Sequence, residues 1–201
     1  MAFEHKAILA KYAAPSIREI EQCDFVLIID EDITQIAPRI ALAVRQSLRN
    51  ASIEKASLLG VPHWQDSAVR TIGGPLLSPL YQVLSKATKL DEVANKTLLC
   101  HPDSVLDVLF SMSQLLQGQP LSRSMSVQHR EFIESLLSAF KKAKKPLIIG
   151  GWSQHSAQLI AAIDVLLDNS RAQQLNPQCV IVPPQSNTVG MMSLLTDISL
   201  S

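Results

Sequence analysis

The strongest constraint on the fold is an uninterrupted apolar run, Phe25–Ile29, that ends at three consecutive acidic residues, Asp30 to Asp32. A run without polar alternation is typical of a strand buried on both faces, as in a parallel sheet. The amphipathic segment after Pro38 predicts a helix, because proline is tolerated in a first helical turn. The acidic residues would then lie at the carboxyl end of a buried strand, where open α/β sheets place their ligand crevice.

A second strand–helix unit near the other end of the chain has the same arrangement. Its strand, predicted from Pro146, runs into Gly150 and Gly151, and an amphipathic helix is predicted over about 155–167. Additional short strands are predicted at Leu80–Leu84, Thr97–Cys100 and Cys179–Val182, and additional helices at Ser16–Gln22, Trp64–Ile72, Asp103–Leu116 and Val127–Lys144. Strands that alternate with helices predict a doubly wound, Rossmann-like α/β fold, with a mostly parallel sheet and helices on both faces.

Charge and apolar content exclude several classes of partner. The 18 basic and 18 acidic residues balance, which argues against a broad surface for nucleic acid or anionic lipid. No apolar run approaches the roughly 20 residues that a spanning helix needs, so we expect no direct membrane insertion.

Metal and catalytic motifs are missing from the sequence. The three cysteines, Cys23, Cys100 and Cys179, form no C-x-x-C pair, and no two histidines have metal-ligand spacing. We therefore expect no metal site and no cofactor in this chain, and buried free thiols of the kind found in a reducing cytosol. No residue group resembles a catalytic constellation, so no catalytic residue is assigned.

The residues at the two strand ends allow two interpretations each. Asp30, Glu31 and Asp32 could bind a ribose or a guanine edge, or Asp32 could cap the following helix. Gly150 and Gly151 lack the third glycine of a dinucleotide motif. They could bring a phosphate to the helix N-terminus, or they could form a tight turn that needs positive φ.

Two segments carry a resemblance to a known family. The first segment begins at Pro15 and includes Glu31-Asp-Ile-Thr-Gln and Pro38-Arg-Ile-Ala-Leu-Ala-Val-Arg-Gln. It resembles the molybdopterin-oxidoreductase-like region of the G subunit of bacterial NADH–quinone oxidoreductase (respiratory complex I). Lys144-Lys-Pro-Leu-Ile-Ile-Gly-Gly and Ser186-Asn-Thr-Val-Gly-Met resemble the second half of that region. The resemblance covers about 15–50 and 127–192.

The resemblance implies a fold of the molybdopterin oxidoreductase type and a role within a larger protein. The chain would be one α/β domain, 1–201, excised from a subunit whose upstream domains carry iron–sulfur clusters; a division into 15–120 and 127–201 stays open. Its partners would be those domains and other hydrophilic-arm subunits, peripheral to the cytoplasmic side of the inner membrane. It would be a non-catalytic structural domain that supports electron transfer from NADH to quinone.

Two rival functions remain. The first is a molybdopterin-guanine-dinucleotide-binding domain of a true molybdoenzyme. Its cleft, vestigial in the complex I protein, would be lined by Asp30, Asp32, Gly150, Gly151, Ser153 and Ser186. The second is the central domain of a thiamine-diphosphate enzyme, which also has a Lys-x-Pro-hydrophobic-Gly strand but fits the acidic turn less well.

Overall fold

A computed structural model describes residues 14–121, 125–151, 157–183 and 185. The strands are β1 (Phe25–Ile29), β2 (Leu80–Leu84), β3 (Lys96–Leu99), β4 (Pro146–Gly151) and β5 (Gln178–Val182). The helices are α1 (Ile17–Glu21), α2 (Ile33–Ile36), α3 (Pro38–Ser47), α4 (Asn50–Leu58), α5 (Asp66–Gly73), α6 (Pro102–Leu116), α7 (Val127–Lys142) and α8 (Ala157–Ala172), with a 3-10 turn at Asp91–Val93.

The five strands form one parallel sheet in the order β3-β2-β1-β4-β5. The chain builds outward from β1 in one direction through β2 and β3, and then returns to add β4 and β5 on the other side. This is the strand order of a doubly wound, Rossmann-like sheet, so the predicted fold class is confirmed. The direction of building reverses between β1 and β4, where such folds have their crevice.

Side chains alternate between the two faces of the sheet and give two apolar cores. Phe25, Leu27 and Ile29 face α6, α7 and α8, whereas Val26 and Ile28 face α1 and α3. All five residues of β1 are buried because helices cover both faces, which is the reason for its unbroken apolar sequence. On the first face, Phe25 stacks on Tyr81 with ring centroids 5.8 Å apart.

Local sequence signals account for most helix boundaries. Ser16 and Glu19 form the predicted capping box at the start of α1. Pro38 occupies the first turn of α3, as predicted. The predicted short strands at β2, β3 and β5 are present within one residue of their expected bounds.

The structure differs from the sequence-based predictions at two places. Helix α4 was not predicted, because its buried residues are only Ser52 and Ala56, which give no apolar periodicity. The two glycines of β4 belong to the strand itself rather than to a turn after it. Neither has a positive φ, so the left-handed turn, one of the two alternatives that the sequence left open, is wrong.

Candidate functional site at the carboxyl ends of the central strands

The predicted site residues of β1 are held at the carboxyl edge of the sheet by backbone bonds. The Asp30 N–H donates to the Val83 carbonyl at 2.8 Å, which extends the β1–β2 pairing by one residue. Asp30 then turns the chain with φ of 48°, a left-handed conformation that Asp tolerates better than most residues. The residue is 7% exposed.

Asp32 has the capping role that the sequence left as one of two alternatives. Its Oδ1 accepts hydrogen bonds from the Thr34 N–H at 3.0 Å and the Thr34 hydroxyl at 2.6 Å. It is therefore the N-cap of α2, where a carboxylate satisfies an otherwise unbonded backbone donor. This role does not prevent Asp32 from lining the pocket beside it.

A pocket of about 220 Å³ opens beside Asp30 and Asp32, between the carboxyl ends of β1 and β2. The other side of the pocket is formed by the residues that follow β2, including Ser85, Lys86 and Thr88. Lys86 thus lines the pocket together with three acidic residues, Asp30, Glu31 and Asp32. The pocket can offer carboxylate and hydroxyl oxygens to a small polar group.

Burial changes the acidity of Asp30. Loss of water around the carboxyl raises its pKa, while hydrogen bonding from Ser85 and the charge of Lys86 oppose that rise. One of its oxygens, Oδ1, is buried and has no hydrogen-bond partner among the described residues. The charged form of Asp30 is therefore held at an energetic cost in the folded protein.

Glu31 was considered with its two acidic neighbours, but it was left out of the predicted cleft. It is only 4% exposed, although a glutamate beyond a strand end would normally reach solvent. Its side chain packs directly against the backbone of Gly151 in the neighbouring strand, in the space that a Cβ atom there would occupy. Glu31 thus fills the position between β1 and β4 where the direction of sheet building reverses.

Gly150 and Gly151 are required by close packing. A Cβ at Gly150 would overlap the Cδ1 of Ile163 from α8, and a Cβ at Gly151 would overlap Glu31. Neither glycine lines the pocket beside Asp30. The predicted site residues Ser153 and Ser186 lie outside the described residues.

The thiols are poorly suited to chemistry. Burial raises the pKa of Cys23 and of Cys179 to about 12, and burial also raises the pKa of Cys100. Within the described ranges, no three His, Cys, Asp or Glu side chains are grouped closely enough to hold a metal ion. Over those same residues, no helix has the length and apolar character needed to cross a membrane.

Comparison with known proteins gives the chain its relatives. No family model matches it. It is 32% identical over 181 residues to the NADH-quinone oxidoreductase G subunit of Pseudomonas fluorescens, which covers 90% of this chain and 20% of that protein. It is 34% identical over 149 residues to the G subunit of Escherichia coli K12, covering 74% and 16%, respectively. With the G subunit of Shewanella oneidensis it shares 30% identity over 181 residues.

The chain spans about one fifth of the length of the relatives from Pseudomonas fluorescens and Shewanella oneidensis. The alignment with that fifth of each relative covers 90% of this chain. By sequence, the chain belongs to the family of NADH-quinone oxidoreductase G subunits, as the resemblance of its acidic turn and glycine strand predicted.

Proposed function

We propose that this chain is a non-catalytic structural domain of the G subunit of complex I. It would support the cluster-bearing parts of that protein, and so the transfer of electrons from NADH to quinone, without taking part in the chemistry. The observation that carries the proposal is the position of Glu31. Its buried side chain occupies the point between β1 and β4 where a doubly wound sheet would otherwise receive a ligand.

The size of the neighbouring pocket also favours a structural role. Pockets that bind drug-sized ligands and cofactors have volumes of roughly 300–1,000 Å³. The pocket beside Asp30 has about 220 Å³, which is small for a dinucleotide. The two buried cysteines, Cys23 and Cys179, have raised pKa values and offer no reactive thiolate for catalysis.

The same proposal includes partners and location. The partners would be iron–sulfur domains of the same polypeptide and other hydrophilic-arm subunits, and the iron–sulfur clusters would belong to those domains. The domain would lie peripherally on the cytoplasmic side of the inner membrane. The names of the relatives, G subunits of NADH-quinone oxidoreductase, support a partnership with other subunits of such a complex.

Metal analysis of the whole gene product tests the proposal. The protein would be purified from its own host with its associated subunits, and iron and molybdenum would be measured per polypeptide. Iron without molybdenum, together with NADH oxidation by the purified assembly, is the expected result. Stoichiometric molybdenum would overturn the structural role, and the absence of both metals would contradict membership of an electron-transfer protein.

A molybdopterin-guanine-dinucleotide site is the second candidate. The partnerless oxygen of Asp30 beside a pocket at the carboxyl edge of the sheet favours it, because a guanine edge or a ribose would supply hydrogen-bond donors there. Titration of the chain with GDP and GTP, followed by calorimetry, tests this function. Saturable binding that Asp30→Ala abolishes would support it, and no heat of binding at millimolar nucleotide would remove it.

A further inference from the structure

The pocket beside Asp30 has a feature that neither the cap of α2 nor the packing of Glu31 explains. Asp30 lines this pocket and is only 7% exposed, and its Oδ1 has no hydrogen-bond partner among the described residues. Buried carboxylate oxygens are normally paired with a donor, because leaving them unpaired is costly. A ligand that brings a hydrogen-bond donor into the pocket would supply the missing partner.

A buried polar network holds the wall of the pocket that follows β2 in one arrangement. Thr88, which lines the pocket, donates its N–H to Oδ2 of Asp91 at 2.9 Å and its hydroxyl to Oε1 of Gln82 at 3.2 Å. The buried Gln82 in turn donates from Nε2 to Oδ1 of Asp91 at 2.7 Å. This wall is therefore preorganised, and binding would cost little further ordering of it.

The charge of the pocket selects the kind of ligand. Its lining holds three acidic residues, Asp30 to Asp32, and Lys86 contributes one basic group. An excess of acidic groups attracts a cation and repels the phosphates of a nucleotide. A metal ion is poorly suited, since no three acidic side chains among the described residues converge closely enough to hold one. A guanidinium group fits better, because it spreads its charge over several N–H donors in a plane.

The size of the pocket limits the ligand to a small molecule. A protein cavity of about 150 Å³ holds benzene, so a pocket of about 220 Å³ would hold a ligand of roughly nine heavy atoms. Ile36 and Leu84 add apolar surface to the lining, which suits a short methylene chain. We propose that the pocket binds a small organic cation that carries a guanidinium group on a short alkyl chain. This inference does not depend on the proposed function, because the residues that form the pocket all belong to this chain.

Calorimetric titration of the protein with agmatine, a guanidinium compound of about this size, tests the proposal. Saturable binding is expected. The matched compound 4-aminobutylurea has an uncharged urea in place of the guanidinium and should bind at least about tenfold more weakly. Equal binding of the two compounds, or no heat of binding with millimolar agmatine, would overturn the proposal. Displacement of bound agmatine by stoichiometric GDP would assign the pocket to a nucleotide and would also overturn it.

Variants with opposite expected effects decide whether the acidic groups make the site. Asp30→Asn should weaken agmatine binding at least about tenfold, because a charge-assisted hydrogen bond is lost. Lys86→Gln should tighten binding about threefold, because a charge of the same sign as the ligand leaves the lining. Asp103→Asn is the matched control and should bind as wild type, since its carboxylate is 92% exposed and lies outside the pocket. Unchanged binding by Asp30→Asn, or weaker binding by Lys86→Gln, would overturn the proposal.

The same titration of the whole gene product shows whether the pocket is open to a small molecule in the larger protein. The protein would be purified from its host with the subunits that accompany it, as wild type and as Asp30→Asn. Agmatine binding that Asp30→Asn weakens there as well would support the proposal. Loss of binding in the larger protein would overturn it, because a neighbouring polypeptide segment would then cover or fill the pocket.

Discussion

The neighbouring strands β1 and β4 end in opposite ways. Strand β1 runs into three acidic side chains, whereas β4 ends in two residues that have no side chain. Because Ile29 pairs with Gly150, the first acidic residues lie beside the last glycine. Glu31 then occupies the space that Gly151 leaves open. The comparison teaches that neither strand end is a separate ligand-binding motif here. The side chain of Glu31, after β1, fills the space that the missing side chain of Gly151 leaves in β4.

Gly151→Ala should break this complementarity with the largest effect. The new Cβ would overlap several atoms of Glu31, including its Cβ, which cannot move without the backbone. We expect a loss of about 3 kcal/mol in the free energy of unfolding, at the upper end of ordinary overpacking costs. Urea denaturation of the chain measures it. A loss below about 0.5 kcal/mol would mean that Glu31 does not fill the crevice in solution.

The adjacent Gly150→Ala is the matched comparison and should cost less. Its new Cβ would overlap only the terminal Cδ1 of Ile163 at short range, and a side-chain end can rotate away. We expect a loss of about 1.5 kcal/mol under the same conditions. If Gly150→Ala proved the more harmful of the two, the packing of α8 rather than Glu31 would limit this edge of the sheet.

Asp32→Ala should have a smaller effect, since it removes a cap and leaves the crevice filled. The Thr34 N–H would lose its acceptor at the start of a four-residue helix, which costs about 1 kcal/mol. Asp32→Asn keeps an acceptor oxygen and is the control, with an expected loss of a few tenths of a kcal/mol at most. Thermal unfolding of both variants separates the effect of losing the cap from the effect of losing the charge.

The sequence predicted the buried strands well because each reflects a local property. Phe25–Ile29 is apolar throughout since helices cover both faces of β1, and Leu80–Leu84 shows the same five-residue burial. Helix α4 could not be predicted in this way, because it packs mainly on α5 rather than on the sheet and buries small or polar residues. The two helices α4 and α5 are held mainly by contacts with each other.

The candidate site was predictable only in part, for a different physical reason. The capping role of Asp32 follows from residues two positions apart and was among the expected alternatives. The contact between Glu31 and Gly151 joins residues 120 positions apart, and it depends on β1 and β4 being neighbours. For the two glycines, the sequence alone left a phosphate and a left-handed turn as the alternatives, and neither of them predicted a packed side chain.

Asp30→Asn should have the smallest effect and the most informative pH dependence. Burial raises the pKa of Asp30 in the folded protein above its ordinary value of 3.8, so the folded state binds this proton more tightly than the unfolded state does. Wild-type stability therefore has its full contribution from this group below pH 3.8, and loses it as the pH rises through the raised pKa. The neutral Asn side chain avoids that loss and still tolerates the left-handed backbone.

The expected result is a difference curve with a definite shape. Asp30→Asn should match wild type near pH 3 and exceed its unfolding free energy by about 0.5 kcal/mol at pH 7. Denaturation measured at several pH values between 3 and 7 gives the curve, with Asp32→Asn as a control that should show no such gain. A variant less stable than wild type at pH 7 would mean that the hydrogen bonds from Ser85 and the charge of Lys86 outweigh the cost of burying the Asp30 carboxylate.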